Sequence, residues 1–292
     1  MTRDSGDLQS GLSGHSFPFP AGLAPGAYTE RIMANIDKHP AGDFCWIELT
    51  TNNQSGAKSF YTSLFGWAVT DMPIGPDDLY SIFKVDGRDA AAGFTMRKEQ
   101  RDTGVQPHWG LYIAVDNADQ TAAKAAQAGG KVLQPAFDVM DQGRMAVVQD
   151  PTGAVFCVWQ AKNGPGIRIA GANGTLCWAD LSTNDPVSAG KFYSQVFGWK
   201  LEKGDKDPSG YLHIKNGERF IGGIPPAEHR NPQVPPHWLI YFLSGDVEAS
   251  SAKAAKLGGK VLMPPKAMEG VGTWSIVADP QGAVFAIFKS AR

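Results

Sequence analysis

Two short strings carry residue types able to do chemistry. Trp46-Ile47-Glu48 and His108-Trp109-Gly110-Leu111-Tyr112 recur as Trp178-Ala179-Asp180 and His237-Trp238-Leu239-Ile240-Tyr241. On a strand every second side chain shares a face. Trp46 therefore lies beside Glu48, and His108 beside Gly110 and Tyr112; their counterparts do the same. If these faces line one cavity per copy, each cavity holds an acid, a histidine, a tyrosine and a tryptophan. Glu48 or Asp180 would then serve as general base, with His108 or His237 as acid partner, in proton abstraction next to a carbonyl. Trp46, Tyr112, Trp178 and Tyr241 would form a flat wall for a planar organic ligand. Structural roles remain open for the same residues. A carboxylate on an apolar strand needs bonded partners, a Pro-His-Trp string can anchor a strand entrance, and Cys157 reads as a small apolar lining residue.

The whole chain is written twice. FCWIELTTNNQSGAKSFYTSLFGW at 44–67 matches LCWADLSTNDPVSAGKFYSQVFGW at 176–199. PHWGLYIAV (107–115) matches PHWLIYFLS (236–244), AAQAGGKVL (125–133) matches AAKLGGKVL (254–262), and DPTGAVFCVW (150–159) matches DPQGAVFAIF (279–288). Four blocks in one order mark a duplication. The domains expected are an N-terminal extension over 1–42, a first domain over 43–161, a linker over 162–173 and a second domain over 174–292.

Each copy opens with a strand (44–49; 176–181). Asn53 and Asp185 are N-caps for a following helix, with Pro186 at a tolerated first-turn position. Ala57, Phe60, Tyr61 and Leu64 form its apolar stripe, and Gly66 breaks it. Strands are expected at 80–85 and 91–96, and at 211–215 and 220–224. The order then restarts: a strand at 109–115 or 238–243, an alanine-rich helix at 118–128 or 247–257 stopped by a Gly-Gly pair, and strands at 145–149 and 154–159 or 274–277 and 283–288. Each copy is two βαβββ units, an α+β architecture. Cys45 and Cys177, opposite in parity to the tryptophans, are expected under the helices.

The bulk properties narrow the function classes. Net charge is −2 with no basic stripe, so neither nucleic acid nor an anionic membrane is indicated as partner. No apolar run approaches the roughly 18 residues of a membrane span. Three cysteines make no disulfide framework and fit a reducing, cytoplasmic setting. The Gly/Ser/Pro-rich extension reads as loosely attached. No P-loop, CxxC pair, HExxH or Ser-His-Asp order occurs.

The capping Asn/Asp, the helical Phe-Tyr, the Phe-Gly-Trp and the late Asp-Pro-x-Gly-Ala-x-Phe together resemble the vicinal oxygen chelate superfamily of glyoxalases, bleomycin-resistance proteins and extradiol dioxygenases. The likeness is to its tandem-duplicated, glyoxalase-like branch and covers about 43–160 and 174–289. It implies that two βαβββ units curl into a cup with helices outside. In the metalloenzymes of the group, a divalent metal in the cup acts as Lewis acid. Carried onto this chain, the ligand positions fall at Trp46 and Trp178, near Gly93 to Thr95 and Gly222 to Ile224, near Gly110 and Leu239, and at Cys157 and Ala286. Only Cys157 among these can ligate, so no metal site and no cofactor are expected. The expected function is binding of a small organic molecule by a monomer, the repeats forming a pseudo-dimer, or by a homodimer. The alternative is a lyase, isomerase or dioxygenase-type enzyme using Glu48 or Asp180 with His108 or His237, with or without a non-standard divalent metal.

Overall fold

The structure is a computed structural model that describes residues 36–76, 78–204 and 210–291; most of the N-terminal extension lies outside these. The first repeat runs β1 (Phe44–Thr51), α1 (Gln54–Phe65), β2 (Ala68–Pro73), β3 (Leu79–Val85), β4 (Arg88–Thr95), a short α2 (Lys98–Asp102), β5 (His108–Ala114), α3 (Ala118–Gln127), β6 (Lys131–Val139), β7 (Gly143–Gln149) and β8 (Val155–Ala161). The second runs β9 (Leu176–Ser182), α4 (Pro186–Phe197), β10 (Lys200–Lys203), β11 (Leu212–Asn216), β12 (Arg219–Ile224), β13 (His237–Leu243), α5 (Val247–Lys256), β14 (Lys260–Met268), β15 (Gly272–Ala278) and β16 (Val284–Ser290). Each repeat forms one eight-stranded mixed sheet, in the order β2-β3-β4-β1-β5-β8-β7-β6 or its equivalent β10-β11-β12-β9-β13-β16-β15-β14. The two βαβββ units of a repeat therefore join through the antiparallel β1–β5 or β9–β13 pair. No described helix is long and apolar enough to cross a membrane.

The helices start and stop where the sequence directs. Asn53 and Asp185 accept from the N–H groups of Gly56 and Ser188, and Gly66 and Gly198 close the helices at φ of 73° and 75°, a left-handed conformation that glycine adopts without steric cost. The outer strands β2 and β6 are mostly exposed and lack the apolar alternation that marks the inner ones, so the sequence pattern does not mark them.

A β-bulge changes the expected parity. On the β1–β5 ladder Phe44 pairs with Ile113 and Trp46 with Tyr112, leaving Cys45 as the extra residue. Cys45 thus packs with Tyr112, Ala114 and Cys157 rather than under the helices. Phe44 turns instead to Trp199 and Trp238 of the other repeat. The second repeat has the same bulge, between Leu176 and Trp178, and Cys177 packs with Trp178 and Tyr241.

One apolar core spans both repeats. Tyr61 on α1 donates to Asp279 Oδ2 at 3.1 Å and accepts from Trp109 Nε1 at 3.0 Å; Tyr193 on α4 mirrors this with Asp150 and Trp238. Asp150 and Asp279 are the acids of the repeated Asp-Pro-x-Gly string. Asp150 Oδ1 also accepts from the backbone of Thr152, Gly153 and Ala154. The string therefore closes a turn and anchors the other repeat's helix. The expected linker is built into this body: Ile167 and Ile169 are fully buried, and the Ile167 N–H bonds the Cys45 carbonyl. The last residues of the expected extension are fixed as well, with His39 bonded to the Ile167 carbonyl and the Gly42 N–H to the Ala114 carbonyl.

Candidate functional site: the carboxylate cups

Ile47 and Leu49 face the helices and are fully buried. Trp46 and Glu48 take the other face of β1, the cup face. Register sets their neighbours: Glu48 lies opposite Gly110 and beside Ala92, Trp46 opposite Tyr112, and Tyr112 beside Cys157. The Tyr112 hydroxyl donates to Glu48 Oε1 at 2.7 Å, and the Tyr80 hydroxyl on β3 donates to Oε2 at 2.6 Å. Trp46 Nε1 donates to the Tyr80 oxygen at 3.0 Å. Burial pushes the Glu48 carboxyl up, and the two phenols partly offset this.

The second cup repeats the constellation. Asp180 accepts from Tyr211 at 2.5 Å, Tyr241 at 2.8 Å and Trp178 Nε1 at 3.0 Å. Burial raises its carboxyl to about 6 against those bonds. Gly223 leaves the space this requires, since a Cβ there would lie 1.8 Å from the Tyr211 oxygen.

The cups differ in what stands around the acid. In the first, Glu48, Trp46, Gly110, Met145 and Trp159 are all partly exposed. In the second, Leu239 replaces Gly110, Trp274 replaces Met145 and Phe288 replaces Trp159. These three are 8%, 1% and 1% exposed, and Asp180 beneath them is 2% exposed. The second cup is plugged by its own side chains; the first leaves Glu48 partly exposed.

The structure brings together the sequence-derived Trp46, Glu48 and Tyr112, with Cys157 beside Tyr112, and likewise Trp178, Asp180 and Tyr241. It does not bring the histidines to the acids. His108 is opposite Thr50 at the end of β5, exposed, with its Nδ1 on the Gln106 carbonyl at 2.8 Å. His237 holds the Pro235 carbonyl at 2.9 Å, and burial pulls its imidazole down. Each cap ties down a strand entrance. The partners of the acids are instead Tyr80 and Tyr211, which sequence reasoning had not singled out. They occupy matching places in the two copies, and that recurrence was the available signal.

The profile of the Glyoxalase/Bleomycin resistance protein/Dioxygenase superfamily matches residues 44–158 and again 175–287. The chain belongs to this superfamily. A Mycobacterium bovis protein named "Putative glyoxylase CFP32" is 40% identical over 265 residues, 89% of this chain and 99% of that protein. The "Anthracycline biosynthesis protein DauV" of Streptomyces sp. strain C5 is 31% identical, over 84% of this chain and 92% of that protein. Among solved structures, the Mn(II)-bound glyoxalase from Novosphingobium aromaticivorans superposes with a TM-score of 0.60 at 17% identity, over 86% of this chain and 83% of that one. The 2,3-dioxygenase LapB from Pseudomonas sp. KL28 gives 0.60 at 16% identity, over 86% and 94%. At such identities the superpositions speak for the fold.

The superfamily's metal does not suit the donors present here. The central strands of the first cup offer Trp46, Ala92, Gly110 and Cys157 at the positions facing its middle. Only the thiol can ligate, and burial, reinforced by the Glu48 charge, pushes it up and keeps it protonated. Among the described residues no three His, Cys, Asp or Glu side chains converge. Glu48 already accepts a phenol on each oxygen, and oxygen-loving divalent ions take several oxygen ligands.

Proposed function

We propose that this chain binds a small, planar organic molecule in its first cup without a metal. The observation that carries this reading is the partly exposed Glu48, bonded to Tyr80 and the buried Tyr112 and walled by Trp46 and Trp159, on strands whose ligand positions hold no donor but the protonated Cys157 thiol. Aromatic walls with a few convergent polar groups are what a small-molecule site needs. The naming of a relative for anthracycline biosynthesis agrees with a flat polycyclic occupant. Because Leu239, Trp274 and Phe288 fill the second cup, one molecule binds per chain. The cross-repeat Tyr–Asp bonds support a monomer in which the repeats stand in for two subunits. Three free cysteines support a cytoplasmic setting. The test is a tryptophan-fluorescence titration of EDTA-dialysed protein with 2-naphthalenemethanol. Saturable quenching that EDTA leaves unchanged is expected; binding that appears only after a divalent metal is restored would overturn the reading.

One observation favours a second reading, that of an enzyme. Glu48 is a partly exposed carboxyl whose affinity for protons burial raises, which suits a general base. Glu48→Gln would then abolish any turnover found, and unchanged turnover would remove Glu48 as the base.

A further inference from the structure

Among the described residues Glu48 has no positive partner. Of its roughly four lone-pair directions, two receive the neutral hydroxyls of Tyr80 and Tyr112. The other elements around it present Ala92 from β4, Gly110 from β5 and the protonated Cys157 from β8, none charged. No ion pair among the described residues includes Glu48, although ten other acids of the chain have one.

The hydroxyl hydrogens of both tyrosines and the indole hydrogen of Trp46 are spent inside the cluster. With the acid ionised, what remains for an occupant is lone pairs and one negative charge. Such a surface attracts donors and cations and repels carboxylates and phosphates. Resting on the ligand-binding reading above, we infer that the occupant of the first cup is an organic cation, a planar ring bearing a protonated amine seated against Glu48. Its ammonium supplies the hydrogens that the open lone pairs of Glu48 lack, while the ring lies along the aromatic wall. Burial's upward push on the Glu48 carboxyl is the cost of an uncompensated charge, and a bound ammonium relieves it.

Three probes sharing one ring test this: 2-naphthylmethylamine, 2-naphthalenemethanol and 2-naphthoate, titrated at pH 7 by fluorescence. The amine is expected to bind about tenfold tighter than the alcohol, with the carboxylate weakest, as befits one partly desolvated charge pair. In Glu48→Gln the ratio of amine to alcohol affinity is expected to collapse to within about twofold. An amine that binds no tighter than the alcohol in the unaltered chain overturns the inference and leaves the binding reading standing. A preference that survives Glu48→Gln overturns it as well. Failure of all three probes to bind overturns both. The charge series in the unaltered protein needs no variant, so it decides even if Glu48→Gln does not fold.

Discussion

Gly110 lies directly opposite Glu48 on the β1–β5 ladder. The equivalent residue opposite Asp180 is Leu239. The position facing the acid thus differs between the open cup and the plugged one, together with Trp274 for Met145 and Phe288 for Trp159, while a carboxylate, both tyrosines and the tryptophan are shared.

Gly110→Leu should close the first cup. A Cβ at Gly110 would meet nothing nearer than the Glu48 backbone oxygen at 3.6 Å, an ordinary contact, and leucine already occupies this place in the second repeat. Binding of 2-naphthalenemethanol, followed by tryptophan fluorescence, is expected to be lost. The thermal midpoint should stay within a few degrees, which for about 1 kcal/mol is the usual response of a domain this size.

The converse pair, Leu239→Gly with Trp274→Met, should open the second cup at a cost in stability. Removing buried side chains of this size costs about 2–5 kcal/mol each when the site does not collapse. Denaturant titration should show that loss, and probe stoichiometry should rise from one to two per chain.

Asp180 makes stability depend on pH. Its folded carboxyl sits near 6, above the roughly 3.9 of an unfolded aspartate. A raised acid favours the folded state fully below the unfolded value, and that contribution is lost as pH rises through 6. Between pH 4 and 7.5 the native chain should lose about 2–3 kcal/mol relative to Asp180→Asn, at 1.36 kcal/mol per unit. Urea melts of both proteins across that range measure the difference, and parallel curves would speak against it.

Tyr61→Phe should loosen the joint between repeats. It leaves the buried Asp279 oxygen and the Trp109 indole N–H without their shared partner, a loss of about 1–3 kcal/mol. Tyr193→Phe should match it, because Asp150 and Trp238 stand in the same relation. Chemical denaturation of the two variants side by side checks both size and symmetry.

Much of this was legible in the sequence. The duplication fixed two βαβββ pairs, the caps at Asn53 and Asp185 set the helices, and period-2 parity put Trp46 beside Glu48 and gave Tyr112 the face of its own strand that the β1–β5 register brings to them. Parity failed where the chain breaks period: the bulge at Cys45 and Cys177 shifts those thiols toward the cup. It also says which face a residue takes but not how far along the strand it sits, so His108 and His237 fell on the cup face yet at its rim. Tyr80 and Tyr211 reach the acids across β4 and β12, strands intervening in space; that relation follows from register, which a strand's own pattern does not contain. The plugging of one cup was visible as Gly110 against Leu239, Met145 against Trp274 and Trp159 against Phe288, whose meaning needed their places around the acid.

The most direct measurement is the stoichiometry of 2-naphthalenemethanol binding before and after EDTA dialysis, with the metal content of the undialysed protein determined by elemental mass spectrometry and Gly110→Leu titrated in parallel. One molecule per chain, no stoichiometric metal and no binding by the variant is the predicted result. Stoichiometric metal with binding that EDTA abolishes, or unchanged binding by Gly110→Leu, would contradict a metal-free site in the first cup.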